Sequence, residues 1–536
     1  MVCSTVFCVK GDDMMTKWFR GVKNLISGRS LPRRPRSYRL CLETLEDRSL
    51  MSGNVLQTNL VSDLPGVAKF QDPNLVNPWG ITTSAGSPFW ISDNNAGVST
   101  LYNTPGMPQT LVVSIPTLGD PLGTSGAPTG TVFNIDGGPT GGFTVSGVDK
   151  NGNPITAAAI FLFDTEDGTI VGWNPGVNPV GFDPKKAGTY AIIAKDNSGN
   201  NFTNPDPLQQ TGAVYKGLTI ASAPSGVIFA NDPNSQTVLY AANFRAGTIE
   251  AYDTKFTAVK LPTGAFTDPD LPKGYAPFNV QELGGRIYVT YALQNDAKHD
   301  DVAGPHHGFV DVFNLDGTGE HRLISRGALD SPWGLAIAPA SFGSLAGALL
   351  VGNFGNGHIN AFNATTGASM GELKDPDGEP IQIDGLWALR VGNGGNGGNG
   401  GAADSVYFTA GIFGETHGLF GSLTPVAPGT PEGPAEEQMV HGDLVVFQTA
   451  VDNAINDILH GASTATLKQD EQALDAAFAT LKSGEEQLIK DETHDGDAAA
   501  ARTHKRELQA AEDVFEAVDD ILEHQLHHGH HGHHGE

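Results

Sequence analysis

One internal loop concentrates groups able to do chemistry. The stretch LQNDAKHDDVAGPHHG, residues 293–308, carries Lys298, His299, Asp300, Asp301, His306 and His307. Carboxylate and imidazole together can bind a divalent metal or work as an acid/base pair. The same residues would also suit a solvated loop braced by lysine–aspartate pairs. A second set ends the chain: His527, His528, His530, His531, His533 and His534, in pairs spaced by Gly. Neutral imidazoles on such a chain chelate Ni²⁺, Zn²⁺ or Cu²⁺. A third set recurs just after apolar runs: Asp93 and Asn95, Glu166 and Asp167, Asn243 and Arg245, Asn353, then Glu415 and His417. Oxygen-rich sets of this kind hold hard cations such as Ca²⁺, which take six to eight oxygens. Asp and Asn are also the default residues of hairpin turns, so both readings stand. No Ser-His-Asp order, phosphate loop, Cys-His pair or HExxH occurs, and no specific reaction is signalled.

The elements that would hold these residues come from a repeat. One phrase occurs six times, starting at Asn77, Ala127, Val214, Tyr275, Pro332 and Ile383. Its fifth copy reads PWGLAIAPASFGSLAGALLVGNFGNGHINAFN. Each copy has three short apolar or alternating runs separated by Gly and Asn, the pattern of buried strands joined by tight turns. Units of about 50–60 residues, strand-only and turn-rich, indicate a β-propeller with four-stranded blades. Six copies predict an all-β, six-bladed β-propeller over residues 54–424. Loops of all six blades then converge on the channel mouth, where the third set would meet.

The three-strand phrase leaves each blade one strand short. Stretches between copies, such as QTLVVSIP, would supply the fourth. For the sixth blade the missing strand is predicted at NVLQTNLVSD, residues 54–63, which would close the ring and hide its strand edges.

Outside the repeats the composition changes. Residues 1–53 form a basic leader, with an amphipathic stretch at 16–26 suited to a membrane surface or targeting. Residues 425–434 are Pro-rich and read as a linker. Residues 435–526 have helical periodicity and acidic character, predicting a C-terminal α-helical extension built as a hairpin or bundle. Residues 527–536 are the His/Gly tail. The net charge of −28 excludes nucleic acid as an obvious partner. No apolar run is long enough to span a bilayer as a helix. The three cysteines, Cys3, Cys8 and Cys41, precede the repeats, so the predicted propeller has no disulfide.

PWGLAIAP followed by LLVGNFGNGHINAFN is similar to the NHL-type propeller repeat. NPWGI, FWISDNNAG, DTEDGTIVGWNP, LYAANFRAGTIEAYD, KHDDVAGPHHGFVDVFN and IDGLWAL together resemble an uncharacterised family of bacterial extracellular proteins, some with PEP-CTERM sorting tails. LETLEDRSLMS, residues 42–52, resembles the LEPR-XLL-type motif of planctomycete surface proteins, with Thr44 in place of Pro and Met51 in place of Leu. These resemblances imply a propeller fold and an extracellular or cell-surface location, with no established activity. The expected function is an exported binding or scaffold protein whose partner is a surface protein, a glycan or a small molecule. The alternative is a metal-dependent, lactonase-like hydrolase or lyase with Ca²⁺ in the central channel.

Overall fold

The computed structural model describes residues 54–138, 141–223, 237–376, 378–394, 399–426 and 463–495, with single positions between 447 and 526. The leader and the His tail lie outside the described residues. So does the linker, apart from Pro425 and Val426 at its start.

Six radial sheets form the body. Blade one is Pro78–Thr82, Phe89–Asp93, Val98–Tyr102 and Val113–Ser114. Blade two is Pro128–Phe133, Phe161–Thr165, Thr169–Trp173 and Ala191–Asp196. Its insertion folds as a separate hairpin, Thr144–Val148 with Pro154–Ala158. Blade three is Tyr215–Ser222, Thr237–Asn243 and Thr248–Tyr252, with a single bridge from Tyr252 to Ala258 at its outer edge. Blade four is Tyr275–Leu283, Arg286–Leu293, Phe309–Phe313 and His321–Ser325. Blade five is Pro332–Ile337, Leu349–Asn353, Ile359–Phe362 and Ser369–Glu372. Blade six is Leu386–Val391, Val406–Ala410, Leu419–Pro425 and, from the other end of the repeats, Val55–Ser62, with the short Phe70–Gln71 parallel to it at the outer edge.

That last pairing is the predicted closure. Val55–Ser62 runs antiparallel to Leu419–Pro425, with Val55 opposite Pro425 and Ser62 opposite Leu419. The first strand in each blade is innermost, and each inner strand neighbours the next around the ring, the sixth meeting the first. A closed ring leaves no free inner edge.

The glycine of the repeated PWG phrase has a steric cause. A Cβ on Gly80 would lie 2.6 Å from the Thr129 carbonyl oxygen, and one on Gly334 would lie 2.6 Å from that of Trp387. On Gly130 it would lie 2.2 Å from the Leu218 nitrogen. In each case the obstacle is the next blade's inner strand. At these three blades the inner strands pack backbone to backbone, and only a residue without Cβ fits there.

The described helix of the extension, α1, is Thr464–Asp495. The Ser463 hydroxyl accepts the Thr466 N–H at 3.2 Å and caps it. Leu467, Leu474, Ala477 and Leu481 recur on one face and are buried with Phe447, Ala450, Val451, Ala454, Ala511, Val518 and Leu522. This is a helical core separate in composition from the blade cores. Among the described residues no helix is long and apolar enough to cross a membrane.

Candidate functional site

The second residue of five inner strands lies in the channel layer, Trp79, Thr129, Lys216, Trp333 and Trp387, and the fourth residue of the blade-four strand, Phe278, joins them. The aromatic members fill it. Trp79 stacks on Trp387 with ring centroids 3.5 Å apart, and Trp333 meets both edge-on at 6.1 and 5.9 Å. Phe278 lies 5.9 Å from Trp387, and Phe354 stacks on its other side at 4.1 Å. Trp387 Nε1 donates to Asn77 Oδ1 at 2.9 Å, and Trp333 Nε1 donates to the Lys216 carbonyl at 2.8 Å.

Lys216 is the charged exception in that layer, and it is buried. Its ammonium lies 5.0 Å from the Trp79 ring centroid, pairs with Glu166, and reaches Asp300 at 3.3 Å. Burial alone would lower the Lys216 pKa, but Glu166 and Asp300 reverse this and raise it above the ordinary lysine value. The ammonium is therefore a fixed positive charge among carboxylates.

Around it the turns after the second strands converge. Glu166, beyond Phe161–Thr165, also accepts Asn94 Nδ2 at 2.9 Å. Asp300, in the blade-four loop, accepts from Asn295 Nδ2 at 3.3 Å and meets His299 Nδ1 at 2.7 Å. Despite a burial penalty, Asp300 is held well below the usual carboxylate range by His299 and Lys216. Asp301 has the opposite balance: burial raises its pKa, against the lowering effects of Ser331 and Lys216. Glu415 accepts Asn77 Nδ2 at 2.8 Å, while Asn95 Nδ2 donates to the Glu415 carbonyl at 2.6 Å. Burial pushes Glu415 up to about 7, with Glu166 and Asp301 adding to the rise. Asn77 and Glu415 both have positive φ, 48° and 68°, so this seam between blades one and six holds two non-glycine residues in the left-handed region.

The blade-four loop thus folds over the mouth, and Asp300, Asp301 and His299 join Glu166 there. One ligand atom each of Glu166, His299 and Asp300 lie within 4.8 Å of one another. Other residues singled out from the sequence stand elsewhere. Asp93 is fully buried and accepts the Thr100 N–H at 2.9 Å within its own blade. Asp167 accepts the Ala127 N–H at 2.8 Å. Burial raises Asp167 to about 6. Asn243 Nδ2 donates to Glu250 at 2.7 Å. Arg245 braces the loop before blade three through Asn201, Gln210 and the Gly212 carbonyl. Asn353 Nδ2 donates to the Ala328 carbonyl and to Asn356.

The loop's paired imidazoles do not join the carboxylates. His306 Nδ1 meets the Gly327 carbonyl at 2.5 Å, and His307 Nδ1 meets that of Val302 at 2.9 Å. Lys298 lines a different recess, beside Arg245, Asn243 and Asp296. His417 pairs with Asp63 at 2.7 Å and so braces the closure of the ring. His527, His528, His530, His531, His533 and His534 lie outside the described residues.

Lys216 and Asn77 escaped sequence reasoning. The signal for Lys216 is positional: aligning the six inner strands puts it where four copies have an aromatic residue. A second acidic group was also missed. Asp268, Asp311 and Glu320 approach one another at blade four, where Arg322 pairs with both Asp268 and Asp311.

Comparison with known proteins finds relatives in Acanthamoeba polyphaga mimivirus that are described as uncharacterized proteins, two of them 30% identical. One is 30% identical over 368 residues, covering 68% of this chain and 78% of the relative. The other is 30% identical over 369 residues, covering 68% of this chain and 84% of the relative. No protein-family model matches the chain. Among solved structures, a streptogramin B lyase aligns with a TM-score of 0.36 at 12% identity, covering 70% of this chain and 99% of that one. An alpha-L-arabinanase of Penicillium chrysogenum aligns with a TM-score of 0.39 at 12% identity, covering 69% and 98%.

Proposed function

The chain belongs to the family of these two mimivirus proteins, and on that footing we propose that it is an exported binding or scaffold propeller of the cell surface or extracellular space. The observation that carries this reading is the closed channel. The Trp79–Trp387 stack, Trp333 and Phe278 fill the layer in which a channel enzyme would seat its substrate. In the same layer, Lys216 is held by Glu166 and Asp300, which ties loops of blades two and four to the inner strand of blade three. Such a mouth presents a fixed surface of carboxylates and amides, suited to recognising a surface protein, a glycan or a small molecule. Export is supported by the likeness of residues 42–52 to a surface-protein motif and by the acidic composition. The six tail histidines would add binding of Ni²⁺, Zn²⁺ or Cu²⁺. Antibody detection on intact native cells, before and after protease shaving, tests the location. A protein found only in the cytosolic fraction overturns it.

A second reading rests on Glu166, His299 and Asp300, whose ligand atoms lie within 4.8 Å of one another. There the protein is a metal-dependent, lactonase-like hydrolase or lyase, with Ca²⁺ held at the mouth by these residues. Assays of lactone opening with calcium and with chelator separate the two. Calcium-dependent turnover lost in Asp300→Asn favours the enzyme, and no turnover in either buffer favours the binding module.

A further inference from the structure

The Lys216 mouth is one end of the channel. At the other, the later residues of all six inner strands line an open cavity of about 510 Å³, with Trp333 among its lining residues. That volume is of the size that holds a small molecule.

Arg390, near the end of the sixth inner strand, lines this cavity. Among the described residues its one hydrogen bond runs from Nη2 to Thr83 Oγ1 at 3.3 Å. Thr83 Oγ1 also accepts Asn393 Nδ2 at 3.2 Å, so even this acceptor is shared. The Arg390 Nε is enclosed and has no partner. No carboxylate pairs with the guanidinium among the described residues. Glu282 lines the same cavity, but its Oε1 accepts the Gly285 N–H of its own turn at 2.6 Å. Burial lowers the Arg390 pKa to about 10, which leaves it charged at neutral pH. Two other arginines, one buried and one partly buried, each also with one enclosed nitrogen lacking a hydrogen bond, differ in their acceptors. Arg245 has three oxygen acceptors, and Arg322 pairs with two aspartates. Arg390 alone of the three keeps most of its donors for something else. Arg390 is half-buried, with its Nε enclosed and no counter-charge among the described residues, and a carboxylate is the group whose two oxygens match its fork.

We propose that this cavity binds a small organic monocarboxylate, held by Arg390. Ile220, Leu335 and Ile337 give the wall apolar surface for the body of the ligand, and Gln281 offers an amide for one polar substituent. The Glu282 carboxylate, on the same wall, disfavours a second acid group. The site uses no residue of the Lys216 mouth, so it stands or falls separately from the function proposed above.

Calorimetric titration of the full chain with lactate, D-gluconate and D-glucuronate tests it. D-glucose, citrate and inorganic phosphate serve as comparisons. At least one monocarboxylate should bind, with affinity lowered tenfold or more in Arg390→Met and by less in Arg390→Lys. Ile337→Trp, which places a ring at the cavity wall, should also abolish binding, and it serves as the test if Arg390→Met does not fold. The proposal is overturned if no monocarboxylate binds, if binding survives both Arg390→Met and Ile337→Trp, or if glucose or phosphate binds as tightly.

Discussion

The Lys216 ammonium and the Asp300 carboxylate lie 3.3 Å apart, although 84 positions separate them in the chain. The contact joins an inner strand of one blade to the long loop of the next, and Glu166 adds a third blade. One ammonium and two carboxylates thus meet over an aromatic floor, the Lys216–Glu166 pair buried and Asp300 open to solvent.

Lys216→Met should therefore be severe. It leaves Glu166 and Asp300 facing each other without their cation, and it adds no hydrogen-bond donor. Removing one partner of a buried ion pair costs about 3–5 kcal/mol. Urea unfolding should show a drop of that order. Asp300→Asn should cost clearly less, because the Asp300 side chain is 58% exposed. Equal losses for the two variants would show that the ammonium is not the centre of the network.

Glu415 predicts a pH dependence. Its folded-state pKa is raised to about 7, mainly by burial, above an ordinary value of about 4.3. The folded protein therefore holds this proton more tightly than the unfolded chain does. The resulting stability is fully present below the unfolded value and is lost as pH rises through 7. Asp164 and Asp311 are also raised to about 7 by burial, so the wild-type slope is a sum. Glu415→Gln isolates one contribution. From pH 5 to pH 8 the wild type should lose about 1–3 kcal/mol relative to this variant. Parallel stability curves would mean that Glu415 is ionised in the folded state throughout.

The ring and the mouth were legible to different depths. Repetition exposes the blades directly, since NPWGI and PWGLA announce inner strands and the Asp/Asn turns announce second-strand ends. Closure by residues 54–63 followed from counting strands. Glu166 was legible as a mouth residue because a propeller sends the turns after second strands to one end, and Asp300 as a member of the loop that departs most from the repeat. Lys216 was not, because lysine normally reads as solvent-exposed, and its burial comes from partners 50 and 84 positions away. The directions of His306, His307 and His417 were also hidden. A sequence shows an imidazole but not the carbonyl or carboxylate that will claim it, here those of Gly327, Val302 and Asp63.

The closure can be tested by removal. Val55, Leu60 and Val61 are buried against blade six and its neighbours, and Val55–Ser62 supplies that blade's partner for Leu419–Pro425. A chain starting at residue 67 would leave that strand with an unpaired edge and an exposed apolar face. It should lose the cooperative unfolding transition or aggregate. Adding a peptide of residues 54–63 in excess should restore the transition. A truncated chain as stable as the full one would show that the ring does not depend on this strand.

The last prediction concerns the glycines that let the inner strands approach. At Gly130 a methyl group would sit 2.2 Å from the Leu218 nitrogen and 2.9 Å from Asp164 Oδ1. The first obstacle is backbone and cannot rotate away. The second is a fully buried carboxylate oxygen that already accepts the Gly130 N–H at 2.7 Å and the Thr129 hydroxyl at 2.9 Å. Gly130→Ala must therefore push blades two and three apart, which is overpacking of the kind that costs about 1–3 kcal/mol or more. Gly86 is the control, because a methyl group there meets nothing within 4 Å. Gly86→Ala should stay within about 0.5 kcal/mol of wild type. The difference between the two variants, read from urea midpoints at constant slope, measures how closely the inner strands pack. If Gly130→Ala proved as stable as Gly86→Ala, the blades would have room to spare, and steric exclusion of Cβ would not account for the recurring glycine.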